Sequence, residues 1–185
     1  MSGMTPVPAQ RVLFHGVTGS GKTSAARAYS RVTGIPVFCA DDDLGWLPGW
    51  TNRPPEEQRR LAVDITGRDR WVFDSAYSAW RDVVLDRAQL IVFLDYPRWL
   101  SLGRLVRRTV RRIITREPVC NGNVETLRRA LARDSIIVWH FRTFRSKREA
   151  FARIRDATGG GGPAVLAFGR PRDLDAWPAS GAAVP

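Results

Sequence analysis

The sequence FHGVTGSGKTSAARAYS, residues 14 to 30, places three glycines, a lysine and a threonine between an apolar run and a helix-forming run. Residues 16 to 23 fit the pattern GxxxxGK[ST] in full. Glycines allow successive backbone N–H groups to point at anionic oxygens, and a helix that begins near Lys22 adds the positive end of its dipole. The stretch therefore predicts a loop that binds the phosphate groups of a nucleotide.

The motif also predicts which atoms of this loop bind. Its backbone amides are expected to hold the phosphates, Lys22 to reach the terminal phosphates, and Thr23 to hold magnesium. The candidate cofactor-binding residues of the loop are Gly16, Thr18, Gly19, Ser20, Gly21, Lys22, Thr23 and Ser24. We therefore predict ATP and Mg²⁺ as the cofactors.

Magnesium also needs a carboxylate, normally at the carboxyl end of a neighbouring strand. Asp74 directly ends an apolar run, which makes Thr23 and Asp74 the predicted metal ligands. The alternative role of Asp74 is to cap the next helix. Asp95 ends another apolar run, but Pro97 begins a helix two residues later, so we expect Asp95 to cap that helix.

Five apolar runs with the character of buried strands alternate with helical patterns. The predicted strands are RVLFH (11–15), IPVFCA (35–40), RWVFDS (70–75), QLIVFLDYP (89–97) and PAVLAFG (163–169). This alternation predicts a three-layer α/β fold, in which a five-stranded parallel sheet has helices on both faces. With 185 residues the chain suits a single domain, which we place at 10–178, with flexible ends at 1–9 and 179–185.

Composition restricts the class of protein. Cys39 and Cys120 form no CxxC pair, which disfavours a disulfide framework or a structural zinc site and predicts a cytoplasmic location. Without a run of about 20 apolar residues or a signal peptide, we expect no membrane span. The net charge of +11 suits a nucleic-acid partner, but all except two of the 29 basic residues are arginine, which compositional bias would also produce. Charge alone leaves that question open.

A cluster of arginines follows the fourth predicted strand. Its members are Arg104, Arg107, Arg108, Arg111 and Arg112. Their spacing places several guanidinium groups on one side of a helix, opposite an apolar stripe. A solvated basic face and a phosphate clamp both fit this spacing. The phosphate-binding loop in the same chain favours the clamp, because fixed guanidinium groups stabilise the charge of a transferring phosphoryl group.

Aromatic and basic residues alternate in a later run, WHFRTFR, as they often do in proteins that bind single-stranded nucleic acid. We instead interpret Trp139 and Phe141 as part of a packed helical face. The basic residues expected to face phosphate or solvent are Arg142, Arg145, Lys147 and Arg148. His15 and His140 have no companions at ligand spacing, so we interpret them as the end of a strand and as ordinary helix surface.

Taken together, these motifs resemble the adenylate-kinase-related P-loop proteins called topology-modulation proteins and, more distantly, nucleoside-monophosphate kinases. The stretches that carry the resemblance are GVTGSGKT (16–23), WLPGW (46–50), RWVFDSAYS (70–78) and IVFLDYPRWLSLGRLVRR (91–108). The resemblance spans residues 11 to 177. It implies an acceptor-binding segment at 41–68, and a basic helix with a short lid at 104–135.

The same resemblance implies roles for further residues. Arg104 would stack on the base of the donor nucleotide, and Arg108 would contact its phosphates. The acidic residue after the second strand matches Asp42 best, although Asp41 or Asp43 would fit after a small shift in alignment. Ser75 and Ala76 replace the Gly and Asn that are common after Asp74, and the lid lacks the four zinc ligands of some adenylate kinases.

The predicted function is that of a monomeric ATP-dependent phosphotransferase, with Lys22, Asp74, Arg108 and Asp42 as the catalytic residues. A nucleotide phosphate acceptor is already anionic and needs no general base, whereas a hydroxyl acceptor does, and Asp42 is then the candidate. The alternatives are a nucleotide-gated nucleic-acid binder and a slow ATPase that acts as a switch.

Overall fold

The computed structural model describes residues 8–133, 135–157 and 162–177. The predicted flexible ends lie outside these residues, apart from Pro8 and Ala9, and Ala9 is buried in the core. In chain order the elements are β1 (Arg11–Gly16), α1 (Lys22–Thr33), β2 (Val37–Phe38), β3 (Trp46–Leu47), β4 (Thr51–Asn52), α2 (Pro55–Thr66), β5 (Trp71–Phe73), α3 (Arg81–Arg87), β6 (Leu90–Leu94), α4 (Arg98–Thr115), β7 (Pro118–Val119), β8 (Asn123–Val124), α5 (Leu127–Ala130), α6 (Ile136–Ala157), β9 (Ala164–Phe168) and α7 (Pro171–Ala176).

The central sheet has five parallel strands in the order β2-β5-β1-β6-β9. β1 and β6 are continuous apolar runs because helices cover both faces of the sheet. Tyr29 of α1 and Trp177 after α7 pack on one face, whereas Ala62 of α2, Val84 of α3 and Ile154 of α6 pack on the other. The predicted three-layer α/β architecture is confirmed.

All the predicted strands except the first are shorter than the sequence predicts, and two of the differences concern the site. β2 is confined to Val37–Phe38 because the chain enters a π-helical turn, Ala40–Gly45, directly after Cys39. β5 ends at Phe73, and the side chain of Asp74 beyond it accepts two hydrogen bonds from neighbouring elements. Both departures occur at the carboxyl edge of the sheet.

Two antiparallel hairpins cover that edge. The β3–β4 hairpin faces the β7–β8 hairpin, and two asparagine side chains join them. Asn121 Nδ2 donates to the carbonyl oxygens of Asp42 (2.7 Å) and Trp46 (2.6 Å). Asn123 Nδ2 donates to the Leu47 carbonyl at 3.0 Å, and its Oδ1 accepts from the Trp50 backbone N–H at 2.6 Å. The β7–β8 hairpin is therefore tied to the segment around the π-helical turn.

Substitution of Asn123 by alanine tests the hydrogen bonds that tie the two hairpins together. Asn123 is only 4% exposed, so the change leaves the Trp50 N–H and the Leu47 carbonyl without their partner at a cost of about 1–3 kcal/mol. We expect the Trp50 amide to exchange its hydrogen about tenfold faster or more, as hydrogen–deuterium exchange would measure. The control is Asn52→Ala in the facing hairpin, where the side chain is exposed. Equal exchange at Trp50 in the two variants would contradict the tie.

Candidate active site

The loop between β1 and α1 has the backbone that the glycines predict. Gly19 and Gly21 have φ angles of 83° and 95°, in the left-handed region that favours glycine. α1 begins at Lys22 without a side-chain cap, and Ser24 in its first turn is exposed. The first backbone N–H groups of α1 therefore suit an anionic oxygen.

α4 supports this loop from the side. A Cβ atom at Gly19 would lie 2.3 Å from the Ser101 carbonyl oxygen and 2.9 Å from Leu105 Cβ. A guanidinium nitrogen of Arg104 lies 3.4 Å from the Ser20 carbonyl oxygen. The loop thus fits closely against one helix, and a larger residue at Gly19 has no room.

Lys22 bends back over the loop. Its Nζ donates to the Val17 carbonyl at 2.9 Å. Burial, and after it the positive charge of Lys147, lower the pKa of Lys22 to about 7, although the charges of Asp74 and Asp41 act in the opposite direction. A phosphate placed beside Nζ would favour the charged ammonium form.

Asp74 is held where the sequence predicts a metal ligand. Thr23 Oγ1 donates to Asp74 Oδ2 at 2.6 Å, and the Ala40 backbone N–H donates to Oδ1 at 2.8 Å. Burial raises the pKa of Asp74, and these two hydrogen bonds oppose that shift. The side chain does not cap a helix, because α3 begins only at Arg81 and its N-cap is Trp80. A hydroxyl and a carboxylate that meet in this way could hold Mg²⁺, which takes few protein ligands beside phosphate oxygens and water.

The three consecutive aspartates of the π-helical turn have different partners. Asp41 accepts a hydrogen bond from the Tyr77 hydroxyl, and its charge raises the pKa values of Lys22 and Lys147. Asp42 forms an ion pair with Arg27 of α1 at 3.5 Å. Asp43 accepts from the Cys39 backbone N–H at 2.6 Å. The structure therefore brings Asp41 to the lysines, while the best sequence match, Asp42, pairs with α1.

The five arginines of α4 divide into two groups. Arg104 lies over the Tyr96 ring at 5.5 Å and reaches the phosphate-binding loop. Arg108 is half-buried, its Nε makes no hydrogen bond, and burial lowers its pKa. Arg112 pairs with Glu125 at 3.2 Å. Arg107 and Arg111 are exposed, as Arg104 is, and Arg111 pairs with Glu117 at 2.9 Å. Arg104 and Arg108 are thus the members placed toward the site.

α6 departs from its predicted orientation. Trp139 and Phe141 were expected in a packed face but are 51% and 50% exposed, whereas His140, expected at the surface, is fully buried. His140 Nδ1 donates to the Thr18 carbonyl at 2.9 Å, and burial lowers the pKa of its ring. The inward stripe of α6 contains His140, Phe144, Lys147 and Phe151. The spacing of these four residues is the signal that could have identified the stripe.

Two more positions differ from the sequence interpretation. Asp95 does not cap α4, whose N-cap is Pro97. It forms an ion pair with Arg148 Nε at 2.7 Å, so Arg148 faces a carboxylate. His15 is an internal residue of β1, since the strand continues to Gly16.

Comparison with known proteins agrees with this geometry at the level of the fold. No family model matches the chain. The chain is 30% identical over 100 residues to the uncharacterized protein YqaC of Bacillus subtilis (strain 168), a match that covers 52% of the chain. The chain spans about half the length of this curated relative, because the match covers 55% of YqaC.

Two solved kinases have a similar fold over almost the whole chain. A gluconokinase from Sinorhizobium meliloti 1021 has a TM-score of 0.50 and 17% identity, with 95% of this chain and 90% of that chain covered. A shikimate kinase from Bacteroides thetaiotaomicron has a TM-score of 0.55 and 13% identity, with 92% of this chain and 95% of that chain covered. The chain has the three-layer P-loop fold of these kinases, as predicted. Within the described residues, no helix has the length and apolar character needed to span a membrane.

Replacement of Gly19 by alanine tests the contact between the loop and α4. The new Cβ meets a backbone oxygen and the φ angle is unfavourable for alanine, so we expect the free energy of unfolding to fall by about 2 kcal/mol or more. The matched control is Gly103→Ala in α4, where a Cβ meets nothing within 4 Å. That change should raise the free energy of unfolding by about 0.5–1 kcal/mol, because alanine favours a helix. Urea denaturation measures both, and equal stability of the two variants would contradict the close fit.

Proposed function

We propose that the protein is an ATP-dependent phosphotransferase that transfers the γ-phosphoryl group of ATP to a hydroxyl group of a small-molecule acceptor. The observation that carries the proposal is the 2.6 Å hydrogen bond between Thr23 and Asp74, directly beside Lys22 in the phosphate-binding loop. Asp74 directly follows β5, the strand that pairs with β1, so the hydroxyl and the carboxylate meet at the carboxyl edge of the sheet.

The donor half of the reaction uses the loop and α4. The loop amides and Lys22 would hold the phosphates, and Thr23 with Asp74 would hold Mg²⁺. When bound there, Mg²⁺ would supply positive charge that neutralises the phosphate oxygens. Arg108 stabilises the charge that develops during transfer, because its guanidinium group is half-buried and lacks a competing partner at Nε. Arg104 contacts the donor nucleotide from the adjacent turn of α4.

The acceptor half uses the π-helical turn. The acceptor hydroxyl oxygen forms a bond to the γ-phosphorus atom, the bond from that atom to ADP breaks with its electron pair staying on ADP, and the hydroxyl proton moves to Asp41. We assign this role to Asp41 instead of Asp42 because Asp41 lies among the lysines, whereas Asp42 pairs with Arg27. The Tyr77 hydroxyl donates to Asp41 and orients it.

Two observations support a hydroxyl group of a small molecule as the acceptor. A positioned carboxylate such as Asp41 serves a hydroxyl acceptor, whereas a nucleotide phosphate needs no general base. The two similar folds belong to proteins named as a gluconokinase and a shikimate kinase, so this fold serves kinases of small molecules. A nucleoside monophosphate is the other candidate acceptor, and a panel of acceptors distinguishes the two.

The first test is an acceptor screen with a loop variant. The protein with Mg²⁺ and ATP is mixed with hydroxylated metabolites and with nucleoside monophosphates, and ADP release is measured for each. We expect Lys22→Ala to lower the rate with the best acceptor about a hundredfold or more, because the variant lacks a charge that contacts the transferring group. Arg31→Ala, an exposed change in the same helix, is the control. Unchanged turnover in a folded Lys22→Ala protein would disprove the assigned site.

The second test separates the neighbouring aspartates. Asp41→Asn keeps the size of the side chain but removes the base, so we expect kcat to fall about a hundredfold while the KM for ATP changes little. Asp42→Asn removes only an ion pair between partly exposed side chains and should change kcat less than about threefold. Steady-state kinetics with the acceptor from the screen measures both. A larger loss in Asp42→Asn would return the base to that residue.

A further inference from the structure

Three cations from three elements surround one histidine at the carboxyl end of β1. His15 is 3% exposed and stacks on the Phe93 ring, with the centroids 5.7 Å apart. Burial, and after it the charges of Arg81, Lys22 and Lys147, lower the pKa of His15 to about 3. The imidazole is therefore neutral, and the positive charge of this cluster comes from α1, α3 and α6.

The two lysines of the chain are both in this cluster. Lys22 belongs to the phosphate-binding loop and contacts the Val17 carbonyl. Lys147 lies in the inward stripe of α6, seven residues after His140, which fixes that helix against the loop at Thr18. Burial lowers the pKa of Lys147, the charge of Asp41 raises it, and the charge of Arg81 lowers it. Phe151, four residues after Lys147 on the same face of α6, stacks on Phe93 at 3.5 Å, and Phe93 stacks on His15. This part of α6 therefore lies against the carboxyl end of β1.

Arg81 is the first residue of α3, and no carboxylate in the described part of the chain forms an ion pair with it. Its Nε is buried and makes no hydrogen bond. Asp82, the adjacent residue, pairs instead with Arg59 at 2.6 Å. The pKa of Arg81 is lowered by burial and by the charge of Arg153 from α6. A partly buried guanidinium group without a counterion is unfavourable unless a ligand supplies the negative charge.

The nearby carboxylates already have partners. Asp74 accepts hydrogen bonds from Thr23 and Ala40, and Asp41 accepts one from Tyr77. Lys22 is assigned to the donor phosphates. Arg81 and Lys147 are the cations of this cluster that have no assigned role, and the charge of Asp41 acts on Lys147.

We infer that Arg81 and Lys147 form an anion-binding subsite, separate from the phosphate-binding loop, and that the acceptor carries a carboxylate or a phosphate group in addition to its reacting hydroxyl. This inference rests on the proposed function and specifies its substrate class. The anion fixes one end of the acceptor at α3 and α6, and Asp41 receives the proton at the other end. Such two-point binding holds the hydroxyl in one orientation toward the donor phosphate.

The test uses the fact that the chain has two lysines. Protein carrying ¹³C at the lysine Cε atoms gives one NMR signal for each lysine, and Lys147→Arg assigns them. The donor site is first filled with Mg²⁺ and a non-hydrolysable ATP analogue, which the Lys22 signal reports. Sulfate, glycerate, glycerol 3-phosphate and AMP are then added in separate titrations, with glycerol as the neutral probe of the same skeleton.

We expect the anionic probes to shift the Lys147 signal with saturation, and glycerol to leave it unchanged. Arg81→Gln should weaken binding of the best anionic probe about tenfold or more, because a charge-assisted hydrogen bond is lost. Arg145→Gln, on the same helix with its side chain 88% exposed, should leave binding unchanged. Tighter binding of glycerate than of glycerol 3-phosphate would identify a carboxylate as the anion, and the reverse order would identify a phosphate.

Two results would overturn the subsite: a Lys147 signal that no anion shifts, or binding of the anions that is equally tight in Arg81→Gln. The Lys22 signal reads the donor site separately. If the Lys22 signal responds to the ATP analogue but the Lys147 signal does not respond to any anion, the subsite is refuted and the proposed function is not. A Lys22 signal that does not respond would refute the proposed function.

Discussion

The buried carboxylate of Asp74 is the constraint on which the two halves of the site depend. It lies 5% exposed at the end of β5, and burial raises its pKa. The hydroxyl of Thr23 and the backbone N–H of Ala40 compensate by hydrogen bonding to its two oxygens. One side chain therefore connects α1, β5 and the π-helical turn. Because Asp41 follows Ala40 directly, the group that fixes the donor loop also positions the acceptor aspartate.

α4 and α6 contact the phosphate-binding loop from two sides. Ser101 and Arg104 of α4 contact Gly19 and Ser20, and His140 of α6 donates to Thr18. A phosphate-binding loop held in this way keeps its amides oriented before a ligand arrives, which is the condition for strong electrostatic stabilisation. These contacts join parts of the chain as far as 122 residues apart, so the loop conformation is a property of the whole domain.

The sequence allowed prediction of the features that have local causes. GxxxxGKT sets the loop and the start of α1, and continuous apolar runs set the parallel strands. Asp74 was predictable because it directly ends a strand. The different partners of Asp41 and Asp42 were not predictable, since a π-helical turn adds a residue to the turn and changes the direction of each side chain.

The orientation of α6 was unpredictable for a different reason. His140 and Lys147 lie at core positions of the helix, where a pattern of apolar residues does not show them. Their spacing with Phe144 and Phe151 marks one face of the helix, but the contact of His140 with a loop far away in the chain decides that this face is buried. Trp139 and Phe141 are exposed as a consequence, because the helix turns polar groups inward at the site. Functional sites are where such exceptions to the apolar pattern are expected.

The two hairpins above the site meet through the amide groups of Asn121 and Asn123 and not through ion pairs. Amide hydrogen bonds carry no net charge, so dissolved salt does not screen them as it screens exposed charges. The attraction that the proposed site would exert on an anionic substrate does weaken as ionic strength rises. Dissolved salt would therefore slow the approach of such a substrate without loosening the contact between the hairpins.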